Sequence, residues 1–154
     1  NALNGEAPFS PERAGTLPAG QLAQLCFSGE YSEDEVMKMI NGRGGMVAYL
    51  DTNSFLEICK KADAGDDYAR LVCEASAYQV AKEIGSCAAV MKGRVDAIIL
   101  TGGMAYEEPH VEYIKDMVSF IADVVVYPGE DELMALAHSG LLAINGKIKV
   151  KEYK

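Results

Sequence analysis

The segment from Val95 to about His138 constrains the fold more than any other part of the chain. A short run rich in β-branched residues, Val95 to Leu100, ends on Thr101-Gly102-Gly103. A helical pattern from Pro109 to Phe120 follows, then the apolar run Val124 to Tyr127, the pair Pro128-Gly129, and a further helical pattern from Glu130 to about His138. Strand, helix, strand, helix with connections this short predicts a parallel α/β sheet. In open sheets of that kind ligands collect outside the carboxyl ends of the strands, which is where the T-G-G lies. Paired glycines let the backbone approach a ribose or phosphate with no Cβ in the way, and a following helix N-terminus adds amide donors for an anion. A Gly-Gly after a strand is also an ordinary turn, so the motif alone names no ligand.

The rest of the chain reads mainly as helix. Residues 1–20 carry Gly5, Pro8, Pro11, Gly15, Pro18 and Gly20 and predict an ordered loop anchored by Leu3, Phe9 and Leu17. A short helix is predicted from Gln21 to Cys26. Ser32 and Glu35 match a capping box, with Val36, Met39 and Ile40 at helical spacing and Asn41-Gly42 as the stop. Gly42 to Gly45 form a glycine-rich turn before the apolar run Met46 to Leu50, and Asp51, Thr52 or Asn53 is the candidate cap of a helix through Cys59. The longest periodic stretch opens at Gly65-Asp66-Asp67 and runs to Lys92-Gly93, with Tyr68, Leu71, Val72, Ala75, Tyr78, Ala81, Ile84, Ala88 and Met91 at helical steps. Its side of Ala69, Ala77, Ala81, Gly85, Ala88 and Ala89 admits close approach of another helix or a sheet. The alternating tail, Lys147 to Lys151, fits a last strand or a solvated helix end.

Composition removes several function classes. A net charge of −9 argues against nucleic acid, whose phosphates require a basic face. No stretch reaches the roughly 18 apolar residues of a membrane span and no leader pattern opens the chain, so a cytoplasmic protein is expected. Cys26, Cys59, Cys73 and Cys87 form no CxxC pair, and His110 and His138 lie far from them in sequence, so no zinc site is predicted. The equal spacing of Cys59, Cys73 and Cys87 reads as small core positions on helices, the thiols buried and reduced. The phosphate loop G-x-x-x-x-G-K-[ST], the dinucleotide fingerprint G-x-G-x-x-G and the G-x-S-x-G elbow are absent. Residue types and spacing lead to a ligand-binding α/β domain.

Resemblance leads further. The stretch NALNGEAPFSPERAGTLPAG, Asn1 to Gly20, resembles the loop N-A-L-N-G-E-G-P-F-S-P-E-R-A-G-T-L-P of the butyrate kinase family, with Ala7 where the family has glycine. The segments LCFSG, MINGRGG, EASAYQVAKEIGSCAAVMKGRVDAIILTGGMAY and VVVYPGEDELMALA continue the similarity in register over nearly the whole chain. The loop separates this family from its acetate kinase relatives.

The resemblance implies the C-terminal half of an actin-like, ribonuclease H-like ATPase fold: parallel strands flanked by helices, helix-rich because the first strands lie before Asn1. Residues 1–154 are then one C-terminal nucleotide-binding domain fragment without its N-terminal domain, inactive alone. The implied reaction of the full-length enzyme is phosphoryl transfer between ATP and butanoate, with ADP and butanoyl phosphate as products and Mg²⁺ as the companion ion. Expected partners are ATP and a short-chain carboxylate, with no nucleic acid and no membrane, in a homo-oligomer. Another short- or branched-chain acyl kinase, or a non-catalytic nucleotide-binding or scaffold module, is the alternative.

By the same match Thr101, Gly102 and Gly103 line the nucleotide, with Met104, Ala105 and Tyr106 beside them. The adenine-side aspartate and arginine of the relatives correspond to Ser54 and Leu56, which leaves Asn53, Ser54 or Phe55 for adenine contact. The metal-associated glutamate that follows T-G-G in acetate kinases corresponds to about Tyr106; Glu107, one residue on, reads as a helix-start carboxylate, and no metal ligand is assigned. Arg13, the catalytic candidate, either offsets phosphoryl or carboxylate charge with its planar guanidinium or pairs with Glu6 or Glu12. Asn4 and Glu12 stand beside it as weaker candidates.

Overall fold

The computed structural model describes residues 6–129 and 131–151. Seven helices are assigned among them: α1 (Ala19–Cys26), α2 (Glu33–Ile40), α3 (Met46–Leu50), α4 (Phe55–Asp63), α5 (Asp67–Val90), α6 (Glu108–Val118) and α7 (Glu132–Ile144). Two strands, β1 (Ile98–Gly102) and β2 (Val124–Pro128), pair in parallel from Ile98 opposite Val124 to Gly102 opposite Pro128. A 3₁₀ turn over Gly103–Tyr106 and α6 form the crossover between them. The predicted order of strand, helix, strand, helix is therefore the observed one.

Helix α5 is the spine. Asp66 caps it, its carboxylate accepting from the amides of Tyr68 and Ala69 at 3.0 Å. Its small side chains decide what packs on it. Ala69 and Val72 join Phe9, Met46, Phe55, Ile58 and Ala62 in one core, which binds the N-terminal loop, α3 and α4. Ala77 and Ala81 join Ile98, Ile114 and Val118 in a second, which binds β1 and α6. Small residues let these elements approach closely and make dense dispersion contact. Tyr68, Leu71, Tyr78 and Met91, which share the helical spacing, face outward instead. The amide of Phe9 donates to Gln79 Oε1 at 3.2 Å and fixes the loop to α5 across 70 positions.

Several expectations shift. The run Met46 to Leu50 is helix α3, with Met46 fully buried. The cap of α4 is Ser54 rather than Asp51, Thr52 or Asn53; its hydroxyl accepts from the Glu57 amide at 3.4 Å. The Ser32–Glu35 capping box is present in full. It holds the Glu35 carboxyl below its ordinary range, chiefly through the hydrogen bond from the Ser32 amide. β1 lies three residues later than the apolar run suggested and takes in Thr101 and Gly102, because the main chain of Asp123 accepts first from Ile98. α7 reaches Ile144, and no strand forms in the described tail at 145–151. Leu3, Asn4, Gly5 and the predicted start of the last helix at Glu130 lie outside the described residues.

Only one face of the sheet is covered by the described chain. Ile98 is buried against α5 and α6, whereas Ile99, Val125 and Tyr127 are exposed on the opposite face. Parallel sheets normally carry helices on both faces. α7 is apolar and has no buried residue; Leu133, Met134 and Ile144 are each at least 70% exposed.

Candidate functional site

The carboxyl end of β1 is an open turn held from one side. Gly102 has φ 92° and ψ 177°, a conformation that favours glycine. Its amide donates to the Gly129 carbonyl at 3.2 Å and its carbonyl accepts from the Gly129 amide at 3.1 Å. The Thr101 hydroxyl donates to the same Gly129 carbonyl at 3.4 Å. The Tyr106 ring lies over Gly129, where a Cβ would collide with its hydroxyl. Thus Pro128-Gly129, at the end of β2, braces the T-G-G backbone while its outer side stays free. Thr101 and Gly103 are exposed, and a Cβ placed on Gly103 would meet nothing within 4 Å.

Beneath this turn is a cavity of about 270 Å³ that Thr101, Met104 and Ala105 line together with Phe9, Ser10 and His110. Met104 packs on the core containing Phe9, Met46 and Phe55. The fold therefore brings the start of α4 and the N-terminal loop to the end of β1, a juxtaposition of segments roughly fifty to ninety residues apart. Arg13 is exposed and is not among the residues lining that cavity.

The polar groups at 53 and 54 are engaged locally. Asn53 Nδ2 donates to Glu12 Oε1 at 2.8 Å, and the Ser54 hydroxyl is the cap of α4. Phe55 is buried, its ring edge-to-face with His110 at 4.9 Å. Glu12 is thus turned toward Asn53 rather than serving as a partner for Arg13. The main chain beside Arg13 is clamped to the glycine-rich turn: the Gly42 amide donates to the Glu12 carbonyl at 2.8 Å and the Ala14 amide to the Ile40 carbonyl at 3.0 Å. Glu107 is half-buried at the cap position of α6, with no cap hydrogen bond from its side chain.

Sequence reasoning missed three groups. His110 is 8% exposed and its Nδ1 has no hydrogen-bond partner among the described residues; burial pushes its pKa down to about 4, so the ring is neutral. Ser76, fully buried in α5, has an unpartnered hydroxyl and is among the residues around the cavity beneath the T-G-G turn. Cys59 and Cys73 lie with their sulfurs 3.9 Å apart, in a second cavity that also reaches His110. Of the four thiols expected to be buried, Cys26 and Cys87 are exposed and these two are half-buried; all four are free. The fourteen-residue step from Cys59 to Cys73 was the visible signal, and the antiparallel return of α5 against α4 is what gave it meaning.

A family model described as the acetokinase family matches residues 11–124. Over all 154 residues the chain is 57% identical to Butyrate kinase 1 and 53% identical to Butyrate kinase 2 of Clostridium acetobutylicum. It spans 43% of the length of each. Among solved structures it is similar to an acetate kinase from Porphyromonas gingivalis, with TM-score 0.77 at 20% identity over 90% of this chain and 41% of that one. A propionate kinase from Francisella tularensis gives TM-score 0.73 at 20% identity over 84% of this chain and 39% of the other. The arrangement of helices around a small parallel sheet is the corresponding part of the acetate kinase fold.

Proposed function

Because this chain belongs to the acetokinase family, we propose that it forms one C-terminal nucleotide-binding domain, supplying part of the ATP site of a butyrate kinase. The observation that carries the proposal is the bare backbone at the end of β1: Thr101 and Gly103 exposed, Gly102 braced from behind by Gly129. A nucleotide lies against such a rim without Cβ interference. The 53–57% identity to two butyrate kinases favours butanoate as the acid.

In the proposed reaction a butanoate oxygen attacks the γ-phosphorus of ATP, a new P–O bond forms in line with the breaking bond, and ADP leaves with that bond's electrons. No protein nucleophile is required, since phosphoryl transfer relies on positioning and charge neutralisation. Thr101, Gly102 and Gly103 bear on the nucleotide, with Met104 and Tyr106 flanking. Asn53 and Ser54 bound the adenine side as structural elements whose polar groups are already bonded to Glu12 and Glu57. Arg13 is the candidate for offsetting phosphoryl charge. Magnesium is the ion the family resemblance brings with ATP. Among the described residues no three His, Cys, Asp or Glu side chains form a group able to hold it, so these residues alone do not build its site.

A cytoplasmic location fits a chain in which no described helix is long and apolar enough to cross a membrane. Self-association is supported by the uncovered apolar surfaces of α7 and of Ile99, Val125 and Tyr127, and light scattering of the purified protein measures it. The test of the function uses the full-length enzyme. ATP-dependent butanoyl phosphate, trapped as its hydroxamate, is the expected product, and phosphorylation of sugars alone refutes the reading. In Gly103→Val a side chain enters open space, so the fold is retained. The KM for ATP is expected to rise at least tenfold with the KM for butanoate unchanged; an unaltered KM for ATP removes the turn from the site.

A further inference from the structure

We propose that the cavity beneath the T-G-G turn is a binding site for a small neutral molecule that carries a hydroxyl on an apolar body of about the size of phenol. The cavity measures about 270 Å³, and an engineered apolar cavity of about 150 Å³ already takes a benzene ring, so the space suffices. It lies on the helix-covered side of β1: Val80 and Leu100, which border it, pack on the core of Ala77, Ala81, Ile98 and Ile114 that joins α5, α6 and the strand. The nucleotide is proposed on the outer side of the same turn, where Thr101 and Gly103 are exposed. The two occupants are therefore distinct.

The border selects the chemistry. Among the described residues no Asp, Glu, Lys or Arg lines it, and burial keeps His110 neutral. An ion would enter with no opposite charge to offset its lost hydration, so butanoate and phosphate do not fit. Most of the wall is apolar, yet two buried polar groups on it have no hydrogen-bond partner among the described residues. They are Oγ of Ser76, a residue with no exposed surface, and Nδ1 of His110, a residue 8% exposed. The other two hydroxyls there are engaged: Ser10 Oγ accepts from the Arg13 amide at 3.2 Å and the Thr101 hydroxyl donates to the Gly129 carbonyl at 3.4 Å. Unpaired buried polar groups are uncommon in folded proteins, and a wholly apolar ligand would leave both unsatisfied. A neutral imidazole nitrogen either donates or accepts, and a serine hydroxyl does both. A hydroxyl on the ligand complements either state, while its apolar body displaces water from Phe9, Met104 and Ile114.

Phenol and toluene test the site, because they match in size and differ in the hydroxyl. Calorimetry of the full chain is expected to show one phenol per chain, bound roughly tenfold or more tightly than toluene, and no binding of benzoate. Phenol should also move the nitrogen NMR resonances of the His110 ring and leave those of the exposed His138 in place. Ser76→Ala is expected to weaken phenol by about threefold or more and to leave toluene unchanged. Toluene bound as tightly as phenol overturns the proposal, since the polar pair is then unused, and so does a phenol affinity that Ser76→Ala does not alter. Absence of saturable phenol binding, with water alone in the cavity, overturns it as well. Displacement of phenol by ADP does the same, by making the cavity the nucleotide's own pocket. The comparison of phenol with toluene needs no substitution, so a folding defect in the Ser76 variant leaves the test intact.

Discussion

Replacing Gly45 with alanine should unfasten the N-terminal loop from the rest of the chain. Gly45 has φ 61° and ψ −136°, a region that is costly for any residue with a Cβ, by about 1–3 kcal/mol. A Cβ built there also collides with the carbonyl oxygens of Ser10 and Arg13. Those oxygens are in use: Ser10 O accepts from Met46 N at 3.1 Å and Arg13 O from Ser10 N at 3.0 Å. Relieving the clash sacrifices both hydrogen bonds, at about 1 kcal/mol each. The total is ~3–5 kcal/mol, a large part of a small domain's stability. Gly42→Ala is the internal control. Gly42 has φ 114° but nothing within 4 Å of a built Cβ, so it reports backbone strain without collision. Urea unfolding of both variants at pH 7.5 separates the two effects. If Gly45→Ala costs no more than Gly42→Ala, the loop is not locked onto the G-R-G-G turn as described, and the placement of Glu12 beside Asn53 loses its support.

Protonation of His110 should weaken the fold on acidification. Its folded pKa is about 4 against 6.5 in the unfolded chain, so the unfolded state binds the extra proton. Stability is complete above pH 6.5 and falls as pH drops toward 4, by about 2 kcal/mol at pH 5; denaturant curves at pH 7.5 and 5 should show this difference, and His110→Leu should shrink it. Ser76→Ala is expected to leave stability unchanged or raise it by about 1 kcal/mol, because it removes a buried hydroxyl without a partner; a clear loss would show that the hydroxyl is bonded through water in the cavity. Ile58→Ala, at a fully buried position against Phe55 and Val72, should cost about 2–5 kcal/mol by thermal or chemical unfolding.

Much of the backbone plan was legible in the residues themselves. The capping box at Ser32 and Glu35, the Asp66 start of α5, and the two apolar runs separated by a helical pattern all act through neighbours in sequence, so local chemistry suffices to read them. The run Met46 to Leu50 read only as apolar, because five such residues carry no period; in the structure it is α3, with Met46 buried among Phe9, Ala69 and Val72. The start of β1 moved because a strand's limits are set by its partner, here Asp123 and β2. Ala7 adopts φ 66° where the resembling loops carry glycine, so the family's residue at that position has a backbone reason.

The chain by itself determined most of its helices, its parallel strand pair and the paired glycines at the end of β1, since periodicity, caps and paired glycines are properties of a few successive residues. Only the tertiary structure decided which distant groups meet: Asn53 on Glu12, Phe55 against His110, Cys59 beside Cys73, and Gly129 behind Gly102. Those contacts depend on how far α5 lets its neighbours approach, a matter of packing between elements that no local pattern encodes.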